Sequence, residues 1–110
     1  MPWDSISQFE LLVLLATAHI GDDAYGVSIA NAIEHASGQQ TPLASVYRAL
    51  RQLEAKGLVR TRLGDPTNER GGRAKRFFKV TGKGLKAVKD TQRAFTALWS
   101  GIPQLKGGTA

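Results

Sequence analysis

The chain opens with a dense block of apolar positions, and after it apolar residues recur mostly at helical or strand spacing. Ser7-Gln8-Phe9-Glu10 fits a capping box, with Ile6 and Leu11 placed for a hydrophobic staple, and predicts a helix running to about His19. Phe9, Leu11, Leu12, Val13, Leu14 and Leu15 cover most of its circumference. A helix that is apolar on nearly every side must be covered on more than one of them. In so small a protein this predicts that a second subunit covers the other side.

Gly21-Asp22-Asp23 reads as a turn, with Asp23 as cap of a second helix from about Ala24 to Ala36. Ile29, Ala30 and Ile33 form its inward stripe and Gly38 ends it. In "TPLASVYRALRQLEAKGLV", Thr41 is the expected cap, Pro42 the first helical residue and Gly57 the stop. Val46, Leu50 and Leu53 fall on one face of this third helix, and Arg48 and Arg51 point largely elsewhere. Leu58 to Arg62 then reads as a strand, Leu63 to Lys75 as a polar loop, and Phe77 to Val80 as a second strand.

Thr81 is placed to cap a last helix to about Ser100, followed by a Gly-rich tail. Leu85, Val88, Gln92, Phe95, Trp99 and Ile102 step by three and four residues, a coiled-coil-like seam with Gln92 as its polar break. With Leu12 and Leu15 of the first helix, this seam is the expected dimer interface. The order is that of an α+β, mostly α, winged helix-turn-helix with a C-terminal dimerisation helix. Residues 1–80 would form the DNA-binding domain, 81–103 the dimerisation helix and 104–110 a disordered tail.

Charge sharpens the picture. The net charge is +6, yet residues 1–40 contain no Lys or Arg and sum to −5, while residues 41–110 carry all fifteen bases and sum to +11. Such segregation favours a polyanionic partner on one side of the molecule. There is no cysteine, which excludes disulfides and thiolate chemistry. Leu11 to Ala18 is far shorter than the ~20 residues of a membrane span, and no basic segment precedes it, so the expected compartment is the cytoplasm.

The face of the third helix opposite its apolar stripe carries Thr41, Ala44, Arg48, Arg51, Gln52 and Ala55, with Ser45 at its edge. Small residues permit close approach, and Arg and Gln can bond base edges and phosphates of duplex DNA. The bland alternative, a solvated surface, normally alternates Glu with Lys. Here the only acid of the helix, Glu54, sits beside the core stripe. The loop between the strands supplies Arg70, Arg73, Lys75 and Arg76 as cationic arms of a wing, with Gly71-Gly72 allowing the bend.

Other motifs weigh little. "GKGLKA" (82–87) fits a dinucleotide fingerprint formally, but no acid lies ~20 residues on and no βαβ unit can follow; it reads as a glycine-softened helix start. His19 and His35 stand near helix ends, where a structural role fits better than a ligand or base. No nucleophile has a base at meaningful spacing, and neither a cofactor nor a metal is expected. Trp3, Phe95 and Trp99 read as interface packing; the alternative is a pocket between subunits for a small aromatic or cationic effector.

With these residues in place, the chain resembles the PadR family of bacterial transcriptional regulators. The resemblance rests on "AYGVSIANAI", "SVYRALRQLEAKGLV" and "GGRAKRFFKVTGKGLKAV" with the leucine-rich first helix, covering about residues 5 to 100. It implies a homodimer held by the first and last helices, usually a repressor at a palindromic operator. It also implies that Tyr47 and Arg48 face the DNA. Phe78 departs from the family's common tyrosine, and the single C-terminal helix matches the compact branch. The other function class consistent with the sequence is a winged helix binding RNA or a protein without operator specificity.

Overall fold

The computed structural model describes residues 6–64 and 75–108. Arg70 and Arg73 of the expected wing, and Trp3, lie outside the described residues.

Helix α1 spans Gln8–Ile20 and starts at the expected capping box. Ser7 Oγ accepts from the Glu10 N–H at 3.1 Å, and Glu10 Oε1 accepts from the Ser7 N–H at 3.2 Å. The same carboxylate receives Lys56 Nζ at 2.6 Å, which ties the start of α1 to the end of the third helix. Val13 and Leu14 are fully buried, whereas Leu12 and Leu15 are exposed. The helix therefore buries one side and leaves an apolar side uncovered.

Helix α2 spans Gly26–Ser37, two residues later than Asp23 capping would set it. Residues 21–23 instead form a 3-10 turn, and Ala24 and Tyr25 are extended. The reason is tertiary. The Ala24 carbonyl accepts from the Phe78 N–H at 2.8 Å, and Tyr25 bridges Phe77. That short segment adds itself to the sheet, so the helix cannot begin until it has passed. Ser28 then takes the capping role, its Oγ accepting from the Tyr25 N–H at 2.9 Å.

Helix α3 spans Leu43–Ala55 with Pro42, not Thr41, in the cap position and no side-chain cap. Val46, Leu50 and Leu53 are fully buried, as their spacing predicts. Gly57, at φ +77°, ends the helix. The N–H groups of Gly57 and Leu58 return to the carbonyls of Glu54 and Leu53, a Schellman closure that needs a left-handed residue at Gly57.

Strands β1 (Val59–Leu63) and β2 (Arg76–Val80) pair antiparallel, Val59 opposite Val80 and Leu63 opposite Arg76. Val59 and Phe78 turn into the core. Phe78 is thus a buried member of the hydrophobic core.

Thr81 caps α4 (Gly82–Ser100), its Oγ1 accepting from the Gly84 N–H at 3.0 Å and donating to the Gly57 carbonyl at 2.7 Å. Gly84 is buried, and a Cβ there would fall on the Leu58 carbonyl oxygen and 2.7 Å from Val80 Cγ1. The glycine of "GKGLKA" is therefore a contact point between helix and hairpin rather than a soft start. Ala87 joins the core, so the first half of α4 belongs to the same body as α1–α3. From Phe95 onward α4 leaves that body, with Phe95, Leu98 and Trp99 exposed. The tail is not structureless from 104 as expected: Pro103–Gly108 form a 3-10 helix.

Candidate nucleic-acid interface

Helix geometry and burial together define the presented face of α3. With Val46, Ala49, Leu50 and Leu53 in the core, Ala44, Arg48, Arg51, Gln52 and Ala55 are all exposed, and Ser45 is half-buried at the edge. These are the residues that the sequence placed there, with one exception. Thr41 is buried: its N–H donates to Glu34 Oε2 at 2.7 Å and its hydroxyl to the Gln39 carbonyl at 3.3 Å. Glu34 of α2 has captured the turn before α3, so Thr41 holds the helix-turn-helix together from within and is removed from the presented face.

Beside that face lies an open cleft of about 550 Å3, lined by Tyr25, Tyr47, Arg51, Glu54, Lys75 and Arg76. Four of these six were expected to meet DNA, and they come from two separate elements. The cleft brings three cations and two phenol rings to one place, with Glu54 as its acid. Glu54 Oε2 accepts from Thr61 Oγ1 at 3.3 Å, which holds the carboxylate towards β1.

Tyr47 owes its position to a glycine. Gly26 is buried, and a Cβ on it would overlap Cζ and Oη of the Tyr47 ring. The ring therefore lies directly on the first turn of α2, half-buried, at the border of the cleft. Any larger residue at 26 would lever it out.

The root of the wing is built as a ladder of rings and cations. Lys75 Nζ stands 4.5 Å from the Tyr25 ring centre. Tyr25 meets Phe77 edge to face at 5.7 Å. Arg62 then lies 4.7 Å over Phe77. Ring faces attract cations through their quadrupole, so the two wing strands emerge with Lys75 and Arg62 already oriented. Tyr25 and Arg62 were not singled out from sequence, and Glu54 was read only as the lone acid beside the core stripe. A signal existed for the first two, an aromatic before the second helix and a base in the first strand, but only pairing of Tyr25 with Phe77 joins them.

The seam residues stand as follows. Leu12, Leu15, Leu85, Phe95, Trp99 and Ile102 are exposed, Gln92 is exposed, and Val88 is half-buried against the core. Phe95 and Trp99 meet edge to face at 5.4 Å. His19 and His35 sit in the last turns of α1 and α2. Among the described residues no three His, Asp or Glu group as a metal site, and no helix is long and apolar enough to cross a membrane.

Known proteins of this geometry carry the same fold. The chain is similar to a PadR family transcription regulator from Clostridium difficile, 18% identical, over 88% of this chain and 98% of that one with a TM-score of 0.69. It is likewise similar to a PadR-like transcriptional regulator from Bacillus cereus, 15% identical over 90% of this chain and 91% of that one, TM-score 0.70. A PadR family regulator from Eggerthella lenta matches at 21% identity over 87% and 81%, TM-score 0.65. No curated protein matches the chain by sequence. The model of the transcriptional regulator PadR-like family matches residues 13–90, which hold the whole helix-turn-helix, both wing strands and the start of α4. With this winged-helix architecture and that match over most of its length, the chain belongs to the PadR-like family of transcriptional regulators.

Proposed function

We propose that the protein is a homodimeric repressor that binds a palindromic operator in duplex DNA through α3 and the wing. The observation that supports this best is the convergence of Arg51, Lys75, Arg76 and Tyr47 on one cleft beside the exposed Arg48 and Gln52. A helix laid in the major groove has base edges under its centre and a phosphate backbone along its flank. Arg48 and Gln52 serve as base readers, Ser45 as a polar contact at the edge, and the cleft takes the flanking phosphates. Arg70 and Arg73 add charge from the wing.

The apolar surface left by one chain supports dimerisation. Leu12, Leu15, Leu85, Phe95, Trp99 and Ile102 are exposed, and patches of that kind on small proteins mark interaction sites. A two-fold partner covering both α1 and α4 would set two third helices about one DNA turn apart, ~34–36 Å. Residues 1–80 then read DNA and residues 81–103 hold the pair. A small aromatic or cationic effector entering beside Phe95 and Trp99 would release the operator. The protein works where DNA is, in the cytoplasm.

The test is selection of bound sequences from random duplex DNA with the native chain and with Arg48→Ala. The native protein should enrich an inverted repeat. Arg48→Ala should lose about 1–3 kcal/mol of discrimination at one position of each half-site. Equal retention of every sequence by the native chain would refute operator recognition.

A further inference from the structure

The only large apolar side chain that α3 leaves exposed is its first. Leu43 is 41% accessible, whereas Val46, Leu50 and Leu53 are fully buried. Pro42 and Ala44 beside it are exposed too, so the helix begins with an uncharged, apolar end. The next turns present Arg48, Arg51 and Gln52. A scattered surface leucine needs no explanation, but the position of this one does.

Two contacts fix the end of α3 that carries it. Glu34 Oε2 accepts from the Thr41 N–H at 2.7 Å just before Leu43, and the Tyr47 ring lies on Gly26 one turn after it. The first turn of α3 is thus pinned to α2 on both sides of Leu43. At ~3.6 residues per turn, Leu43, Tyr47 and Arg51 form one row along the helix, and Ala44, Arg48 and Gln52 form the row beside it. Leu43 therefore heads the row that ends at the cationic cleft, and it adjoins the row that holds Arg48.

We infer that Leu43 reads a thymine methyl group in each half-site, an inference that rests on the operator recognition proposed above and sharpens it. In a helix-turn-helix the N-terminal residues of the second helix reach the base edges. A leucine side chain has no donor for a phosphate, and of the major-groove edges only that of thymine presents a methyl group. The face of α3 then divides its labour. Its first turn reads by apolar contact, while Arg48 and Gln52 read by hydrogen bonds. From Leu43 to Arg48 the helix rises ~7.5 Å at ~1.5 Å per residue, about two base-pair steps of ~3.4 Å. The thymine thus belongs about two base pairs from the position that Arg48 reads.

The experiment takes the duplex enriched by the native chain and replaces each thymine in turn by deoxyuridine, which removes the methyl group and keeps the base pair. Fluorescence anisotropy then gives the affinity of the native chain and of Leu43→Ala for each duplex. At one thymine of each half-site, within about three base pairs of the position that Arg48→Ala flattens, the replacement should weaken native binding about fourfold, the worth of one buried methyl group. Leu43→Ala should bind the thymine and uracil duplexes equally there, and its melting temperature reports whether the fold is kept. The scan with the native chain needs no variant, so it tests the contact by itself. An enriched half-site without a constant A·T pair in that window, an affinity indifferent to every uracil, or a methyl effect that survives in Leu43→Ala would overturn this inference and leave operator recognition intact. A native chain that enriches no sequence would refute operator recognition, and this inference with it.

Discussion

Lys75 Nζ stands 4.5 Å from the centre of the Tyr25 ring, so the base at the root of the wing is held by an aromatic at the start of α2. The two residues are fifty positions apart in sequence. Their contact couples the helix-turn-helix to the hairpin at the mouth of the cationic cleft, so that in the proposed complex Lys75 would meet a phosphate with part of its ordering already done. An exposed cation over a ring is worth about 0.5–1 kcal/mol. Tyr25→Leu should therefore weaken duplex binding by roughly two- to fivefold at fixed salt, and loss of the edge-to-face contact with Phe77, about 0.5–1.5 kcal/mol, should lower the melting temperature by several degrees. Fluorescence anisotropy with a labelled duplex reads this. Unaltered affinity would mean that the ladder only decorates the wing root.

What could be read from sequence was what local chemistry decides. The buried stripe Val46, Leu50 and Leu53 obeys helical period, and Ser7 and Thr81 are followed at the right spacing by the groups they cap. Where the reading failed, a distant residue had intervened. Asp23 does not cap α2 because Ala24 pairs with Phe78, and Thr41 does not face outward because Glu34 takes its N–H. The cleft was half legible. Arg51, Lys75, Arg76 and Tyr47 were visible as types on a face or loop. Glu54 stands at helical spacing from Tyr47 and Arg51, so the period places it with them, whereas Tyr25 joins only through tertiary packing, for which neither period nor spacing carries a signal.

Gly84 gives a direct test of the packing between α4 and the hairpin. A Cβ at this position would collide with the Leu58 carbonyl oxygen and press on Val80 Cγ1 at 2.7 Å. Backbone atoms cannot move aside as a flexible side chain can, so Gly84→Ala should cost about 1–3 kcal/mol in spite of alanine's better helix propensity. For a domain of this size that is a fall in Tm of roughly 4–8 °C per kcal/mol, followed by circular dichroism. A stabilised variant would show that α4 does not seat on Leu58 and the end of β2 as described.

Trp99 tests assembly. It is 56% exposed in the single chain and packs edge to face on Phe95, an arrangement that makes sense for a side chain covered by a second copy. Removing a tryptophan buried in an interface costs ~3–5 kcal/mol, enough to split a small dimer at low concentration. Trp99→Ala should shift sedimentation towards monomer and weaken operator binding together, with helical content kept. A variant that stays dimeric would move the interface elsewhere; a monomer that binds the palindrome normally would break the link between pairing and recognition.

The central claim is that α3 and the wing grip duplex DNA through concentrated positive charge, and the dependence of affinity on salt measures it most directly. A dimer that presents two cationic clefts and two wings should make on the order of 6–10 phosphate contacts, and the binding constant for its selected duplex should then fall by ~10³–10⁵ between 50 and 200 mM salt. The same titration on a single strand of equal length should show weaker binding and a shallower slope. A duplex affinity that barely changes over that range, or a preference for the single strand, would contradict the account.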